Sequence, residues 1–115
     1  MVKLESLKKS NQFRKALKEK KVHTDYFSIF AAKNFFKAKQ KANLLISFVM
    51  KKKIGNAVKR NKIRRKLRAI VLKLLKIRGA INTNYTYIII CKTKSYTEKY
   101  DKIFLEMQKS FQKLK

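Results

Sequence analysis

A dense cluster of basic and amide side chains lies in the middle of the sequence. The eighteen residues from Lys51 to Arg68, KKKIGNAVKRNKIRRKLR, include ten Lys or Arg and no Asp or Glu. Guanidinium groups match the geometry of phosphate oxygens, and Asn can donate hydrogen bonds to a phosphate, a ribose hydroxyl or a base edge. The chemistry that this segment favours is therefore the binding of a phosphodiester polyanion.

The spacing of apolar residues places this segment on a helix predicted over about residues 56–77. Asn56 is a good capping residue that follows Gly55, and Gly79 stops the helix. At about 100° per residue, the residues that share one face with Leu67 are Ile63, Ile70, Val71 and Leu74. The first turns lack this apolar stripe and are basic nearly all round. We therefore expect them to project from the fold as a docking surface.

An ordinary solvated helix face would explain many runs of charge, but it normally mixes the two signs. Here like charges recur at i,i+4, from Arg60 to Arg64 and from Arg64 to Arg68. The positive pole of the helix dipole lies at the same end and adds to the repulsion. Bound phosphates would reverse both penalties, so a polyanionic partner is favoured over a solvated face.

The overall charge supports the same conclusion. The net charge of the 115-residue chain is +26, and the stretch from Tyr26 to Thr97 holds nineteen Lys or Arg and no acid. The N-terminal residues MVKLESLKKS lack the apolar stretch of a signal peptide, and no apolar run is long enough to cross a bilayer. We expect a cytoplasmic protein without a membrane association. The single cysteine, Cys91, excludes a disulfide within the chain.

The pattern of elements predicts one α+β domain over residues 1–115, a two-layer sandwich of order α-β-β-α-β-α with helices packed on a small mixed sheet. Besides the basic helix, we predict a helix at about 11–20 capped by Ser10, strands at 25–32, 43–50 and 83–93, and a last helix capped by Ser95 or Thr97. The strand at 43–50 is expected to be buried on both faces. The last helix should bury one face, formed by Tyr100, Ile103, Phe104, Met107 and Phe111.

Catalytic side chains are scarce in this sequence. His23 is the one histidine, and Asp25 would share its face of a strand without a third partner. We interpret His23 as a surface residue at a strand start and Cys91 as a small buried hydrophobe. No metal-ligand cluster, glycine-rich phosphate loop or nucleophile motif is present, so we predict no catalytic and no metal-binding residue in the protein itself.

The basic segment closely resembles the signature of the protein component of bacterial ribonuclease P. That signature reads K-[KR]-[IV]-G-N-A-V-x-R-N, followed by basic residues at helical spacing, and here it is KKIGNAVKRN. The opening LKKSNQF, the strand with YFSIF and the YIII strand also occur in family order, so the resemblance spans almost the whole chain. It implies the ribosomal-protein-S5-domain-2-like fold and, by analogy, a left-handed strand–helix–strand crossover in place of the common right-handed form.

The resemblance also implies a function and a set of partners. Proteins of this family bind a large catalytic RNA, and the holoenzyme removes the 5′ leader from precursor tRNA by hydrolysis. The RNA carries the chemistry with Mg2+, while the protein broadens the substrate range, lowers the magnesium requirement and needs no protein partner. The matching residues for RNA-subunit binding are Lys52, Lys53, Asn56, Arg60, Asn61, Arg64, Arg65 and Arg68.

In the family, a cleft between the first helix and the open face of the sheet holds the single-stranded leader. The matching residues are Phe13, Leu17 and Phe30. Aromatic rings stack on unpaired bases with little sequence preference, as an enzyme with many substrates requires. Leu17 stands where an aromatic is common, and Phe27 and Phe48 are further candidates for the cleft.

Three other functions fit part of the pattern. A structural RNA-binding protein, such as a ribosomal protein, fits the charge equally well and is separated only by the signature. A DNA-binding helix is disfavoured because the helix is basic around its circumference and lacks a partner helix and turn. A membrane-surface helix is disfavoured because its apolar stripe continues into a domain with its own strands.

Overall fold

The structure, a computed structural model, describes residues 4–5, 20–33, 44–50, 54–77, 79–81 and 85–114. The strands in this part of the chain are β1 (Leu4–Glu5), β2 (Lys20–His23), β3 (Phe27–Lys33), β4 (Leu44–Val49) and β5 (Tyr85–Cys91). The helices are α1 (Ala57–Leu75), α2 (Lys94–Thr97) and α3 (Tyr100–Lys113).

The strands form one mixed sheet in the order β1-β4-β5-β3-β2. Strand β5 lies in the centre, parallel to β4 and antiparallel to β3. The edge strand β1 pairs with β4 in parallel. The other edge strand, β2, pairs with β3 in antiparallel orientation. Because α1 connects the parallel neighbours β4 and β5, the basic helix is the crossover between two adjacent strands.

One face of the sheet carries the core. Phe27, Ile29 and Ala31 of β3 pair in register with Cys91, Ile89 and Tyr87 of β5, and all six are buried. Since side chains alternate between the faces of a strand, the opposite face carries Ser28 and Phe30 of β3 and Ile88 and Ile90 of β5. In both β3 and β5, the odd-numbered residues therefore face the core and the even-numbered residues face the other side of the sheet.

The two long helices pack on the core face. Ile103, Met107 and Phe111 of α3 are fully buried, and the Phe111 ring meets the Tyr87 ring edge to face at a centroid distance of 4.9 Å. The apolar stripe of α1 joins the same core cluster. This arrangement confirms the predicted sandwich of helices on a small mixed sheet.

Several predicted details need correction. Lys20, expected in the first helix, lies in β2, a strand that we did not predict, and the rest of that helix lies outside the described residues. Helix α1 ends at Leu75 rather than near Ile77. The last helix begins at Tyr100, with Lys99 at the capping position and no side-chain cap, so neither Ser95 nor Thr97 caps it.

Two further predictions are wrong in part, although His23 is exposed as predicted. Val49 of β4 is 36% exposed, so this strand is not buried on both faces throughout its length. His23 ends β2 rather than starting a strand, and Asp25 lies in the bend beyond it, so the two do not share a strand face. The Nδ1 atom of His23 lies 2.7 Å from the hydroxyl oxygen of Ser28 on the neighbouring strand.

Cys91 is buried at the end of β5, as the sequence predicted for a small hydrophobe. Removal from water disfavours the thiolate and raises the pKa of the Cys91 thiol from its ordinary value of 9.0 to about 12, although Arg64 acts weakly in the other direction. The thiol is therefore protonated at neutral pH.

Candidate nucleic-acid interface

The N-terminal end of α1 is built by two consecutive residues. Gly55 adopts φ +142°, a conformation that L side chains rarely take, and it turns the chain into the helix. Asn56 follows in extended conformation, and its Oδ1 accepts a hydrogen bond of 3.0 Å from the backbone N–H of Lys59. The predicted cap is therefore confirmed, and it satisfies one backbone donor that the first turn would leave unpaired.

The predicted RNA-binding side chains of α1 are mostly exposed. Those in contact with solvent are Asn56, Asn61, Arg64, Arg65 and Arg68. Arg60 differs, because it is half-buried and its Nε lies buried without a hydrogen-bond partner among the described residues. The expectation that these turns project outward therefore holds for five of these six positions, and Arg60 is the one that reaches back toward the fold.

The exposed guanidinium of Arg64 is already oriented within the helix. Its Nη1 donates a hydrogen bond of 3.2 Å to Oδ1 of Asn61, one turn earlier. A guanidinium carries five N–H donors in a planar fork, so most of them remain for an external acceptor. Asn61 thus limits the freedom of the cation that follows it.

Buried apolar residues hold the helix in place against its own charge. Ile63, Leu67, Ile70, Val71 and Leu74 are fully buried, as predicted from their spacing. Full burial of such a side chain stabilises by about 1.5–3 kcal/mol, whereas a like-charge i,i+4 pair opposes a helix by only about 0.2–0.5 kcal/mol. The anchoring face therefore outweighs the repulsion, and the cationic surface is kept in a defined position.

Lys66 is a basic residue of α1 that faces inward. Its Nζ donates a hydrogen bond of 3.0 Å to the carbonyl oxygen of Ser95 and a further one to the carbonyl oxygen of Glu98. The Glu98 carboxylate in turn accepts from the Lys99 backbone N–H and the Tyr26 hydroxyl. The hydrogen bond from the Lys99 backbone contributes most to lowering the pKa of the Glu98 carboxyl, and the bond from the Tyr26 hydroxyl lowers it further. Lys66 therefore ties α1 to the segment that precedes α3.

An exposed aromatic ring lies beside the basic helix. Tyr96 of α2 is 39% exposed, and the Lys59 Nζ is 5.0 Å from its ring centroid. A hollow of about 380 Å³ beside the ring is lined by Lys62, Ile63, Lys66 and Tyr96. A cation–π contact at an exposed site is worth about 0.5–1 kcal/mol, so the pair is a weak contact that a stronger ligand could open.

Of the three residues predicted to bind the leader, Phe30 lies in the part of the chain that the structure describes. This residue is half-buried on the sheet face opposite the core, where its ring meets the His23 ring edge to face at a centroid distance of 5.8 Å. Lys21 pairs with Phe30 in register and is exposed, and Ile88 pairs with it from the other side. An aromatic ring beside a cation is suited to an unpaired nucleotide.

Phe27 and Phe48 do not belong to this face. Phe27 is fully buried in the core, and Phe48 packs against the core from β4, opposite Ile89 in register. Both rings lie on the sheet face on which the helices pack, because side chains alternate between the two faces of a strand. Their suggested role in the leader cleft is therefore wrong.

Four of the predicted site residues, Lys52, Lys53, Phe13 and Leu17, lie outside the described residues. Within the part that the structure describes, no cluster of three or more His, Cys, Asp or Glu side chains is placed to hold a metal ion. No helix in the described ranges is both long and apolar enough to cross a membrane.

Sequence reasoning missed two participants in this region, Lys66 and Tyr96. Both depend on α2 packing beside α1, which brings together residues about thirty to forty positions apart along the chain. A tyrosine between serine and threonine, close to a predicted cap, gave no periodic signal. The bias toward lysine across the chain concealed the inward direction of Lys66.

Comparison with known proteins gives a consistent result. A family model described as Ribonuclease P matches residues 1–115. The curated protein "Ribonuclease P protein component" of Acholeplasma laidlawii (strain PG-8A) is 33% identical over 104 residues, which are 90% of this chain and 83% of that protein.

Solved structures show the same fold. The ribonuclease P protein from Thermotoga maritima superposes with a TM-score of 0.74 at 22% identity, covering 96% of this chain and 98% of that one. The Staphylococcus aureus ribonuclease P protein gives a TM-score of 0.66 at 25% identity, covering 94% and 89%. The mixed sheet with its crossover helix is therefore similar to that of solved proteins of this kind.

Proposed function

Because the chain belongs to the ribonuclease P protein family, and is thus the protein component of an endoribonuclease ribonucleoprotein, we propose that it binds the catalytic RNA subunit through the exposed end of α1. The complex then removes the 5′ leader of precursor tRNA by phosphodiester hydrolysis in the cytoplasm. The residues assigned to the RNA subunit are Lys52, Lys53, Asn56, Arg60, Asn61, Arg64, Arg65 and Arg68.

One observation carries this proposal. The cationic turns of α1 are exposed at the end of a helix whose other face is fully buried. Helix α1 has no acidic residue of its own to offset this charge. A folded polyanion supplies the opposite charge, and oxygen acceptors near Asn56 also meet the positive pole of the helix dipole.

The second part of the proposal concerns the substrate. We assign the single-stranded leader to Phe13, Leu17 and Phe30, with Phe30 supplying a ring on the sheet face opposite the core. Lys21 and His23 beside this ring support the assignment, because a basic residue next to an aromatic one favours a phosphate next to a base. Contacts to the leader would favour precursor over mature tRNA.

The reaction itself is assigned to the RNA. In this proposal the RNA subunit holds the Mg2+ that the hydrolysis requires, and no side chain of the protein acts as acid, base or nucleophile. The protein contributes positive charge between two polyanions, which lowers the magnesium needed to bring them together and broadens the range of precursors. No protein partner is required.

Reconstitution tests the proposal. The purified chain is mixed with the catalytic RNA subunit at a magnesium concentration too low for the RNA alone, and cleavage of precursor tRNA is followed. The proposal predicts that cleavage is restored and yields the mature 5′ end. The matched control is the double variant Arg64→Ala with Arg65→Ala, which should require more magnesium.

Two results would contradict the proposal. Cleavage no faster than that by the RNA alone would remove the role in the ribonucleoprotein. Cleavage of precursor tRNA by the isolated chain, without any RNA subunit, would show that the assignment of the chemistry to the RNA is wrong.

A further inference from the structure

We propose that Tyr96, together with Lys59 and Lys62, forms a second contact with the RNA subunit, in which an unpaired nucleotide stacks on the tyrosine ring. This inference rests on the proposed function, since it extends the α1 surface onto α2. The ligand is one nucleotide outside a duplex, recognised by its base plane and its phosphate rather than by its sequence.

The backbone that carries the Tyr96 ring is held beside α1. The backbone N–H of Tyr96 donates to the carbonyl oxygen of Thr93 at 2.9 Å, and the preceding residue, Ser95, is fully buried. Lys66 binds the carbonyl oxygens of Ser95 and Glu98 on either side of the tyrosine. A ring whose backbone is held at both ends loses little freedom on binding, which favours affinity.

The cations around the ring are spaced for a nucleotide. Lys59, Lys62 and Lys66 are separated by three and four positions and so lie along one face of α1. Lys66 is engaged by carbonyl oxygens, whereas Lys62 is exposed and the Lys59 ammonium lies over the ring. Two ammonium groups are therefore placed within reach of a phosphate whose base would lie on Tyr96.

The hollow gives the base a place to enter. It is lined by Lys62, Ile63, Lys66 and Tyr96 and has a volume of about 380 Å³, within the range of small-ligand sites. Stacking on Tyr96 would replace the weak Lys59–ring contact and release that ammonium toward the phosphate. An aromatic ring accepts any base, because each base has a π face.

The RNA subunit is the source that the geometry favours. The hollow lies on α1, the helix whose exposed Asn61 and Arg64 are assigned to the RNA subunit. The leader is assigned instead to the sheet face of Phe30, which is opposite the face on which α1 packs. A nucleotide on Tyr96 would therefore belong to the molecule that already covers α1.

The affinity for the RNA subunit tests this contact. Tyr96→Ala should weaken binding roughly 5- to 150-fold, the range expected for one base–aromatic stack, and should leave the salt dependence of binding unchanged because no charge is lost. Tyr96→Phe should bind like the natural chain, and Tyr96→Leu, which keeps the bulk without the π face, like the alanine variant. Lys62→Ala should instead flatten the salt dependence.

Fluorescence gives an independent readout. The chain has no tryptophan, so Tyr96→Trp places a single indole in the hollow. Its emission should be quenched when the RNA subunit is added, and acrylamide should then quench it less. Leu105→Trp on α3, an exposed apolar position, is the matched control and should change little.

The outcomes separate this inference from the function on which it rests. If Tyr96→Ala and Tyr96→Leu bind the RNA subunit like the natural chain while Arg64→Ala binds weakly, the tyrosine contact is wrong and the function stands. If the alanine variant weakens only the binding of precursor tRNA to the holoenzyme, the assignment to the RNA subunit is wrong. If the natural chain does not bind the RNA subunit, both fail.

Discussion

Arg64 donates a hydrogen bond of 3.2 Å from Nη1 to Oδ1 of Asn61, and both residues are exposed on α1. Asn61 thereby orients a cation that faces solvent, before any partner is present. A side chain that is already oriented loses less entropy when it binds a phosphate. In the proposed complex Asn61 would therefore contribute to RNA binding by orienting Arg64, in addition to the contacts assigned to Asn61 itself.

The salt dependence of binding tests the role of Arg64. Arg64→Ala should weaken binding to the RNA subunit and reduce the slope of log K against log salt by about 0.7–0.9, the value for one phosphate contact. Asn61→Ala should lower the affinity but keep the slope, because it removes no charge. Lys109→Ala, at an exposed site on α3, is the control. An unchanged slope for Arg64→Ala would exclude this residue from the contact.

The two roles of Asn56 can be separated by two substitutions. Asn56→Ala removes the bond to the Lys59 backbone N–H and should lower the free energy of unfolding by about 0.5–2 kcal/mol. Asn56→Asp keeps the cap and favours the helix dipole, so stability should be retained. Its carboxylate repels phosphates, so RNA affinity should fall. Chemical denaturation and RNA binding are both measured, and an Asp variant that binds RNA normally would limit Asn56 to capping.

The leader assignment predicts an effect on discrimination rather than on stability. Phe30→Leu should keep most of the packing of this half-buried residue but lose base stacking, which is worth about 1–3 kcal/mol. The holoenzyme should then bind precursor tRNA more weakly while its affinity for mature tRNA is unchanged. Phe30→Trp should preserve the preference. Equal losses for both RNAs would contradict the assignment.

The buried thiol predicts how stability changes at high pH. In the folded chain the pKa of Cys91 is raised to about 12 from 9.0, so above pH 9 the unfolded chain releases this proton first. The contribution of Cys91 to stability is therefore complete below pH 9 and is lost as the pH rises toward 12, by up to about 1.4 kcal/mol per pH unit.

The comparison for this prediction is Cys91→Ala. Lysines also titrate in this range, so the quantity measured is the difference in unfolding free energy between the two chains at each pH. That difference should shift in favour of the alanine variant from pH 9 upward. A difference that does not vary with pH would show that Cys91 is as accessible in the folded chain as in the unfolded one.

Periodicity predicted the parts of the fold that depend on local pattern. The apolar stripe from Ile63 to Leu74 is as expected, because helical spacing alone determines which residues share a face. The predicted face of α3 is buried at Ile103, Met107 and Phe111, whereas Tyr100 and Phe104 are only partly buried. The centre of β5 was likewise evident from its run of isoleucines. Strand β2 was missed because KKVH is short and basic, and it is a strand only through its pairing with β3.

For the candidate site too, the sequence was enough to predict the features that depend on local pattern. Asn56, Asn61 and Arg64 followed from the signature, and their exposure agrees with it. Phe27 was assigned to the wrong face because the register of its strand cannot be read from local pattern, and a shift of one residue exchanges the two faces. The partial burial of Arg60 and the inward direction of Lys66 depend on contacts with distant segments, which local spacing does not encode.

The bond between Lys66 and the carbonyl oxygens of Ser95 and Glu98 means that the cations of α1 are not interchangeable. In the proposed complex some of them would release ions from the RNA on binding, whereas Lys66 holds α1 against a neighbouring segment, so its loss would displace that segment. Counting positive residues along this helix therefore overstates how many phosphates it can neutralise.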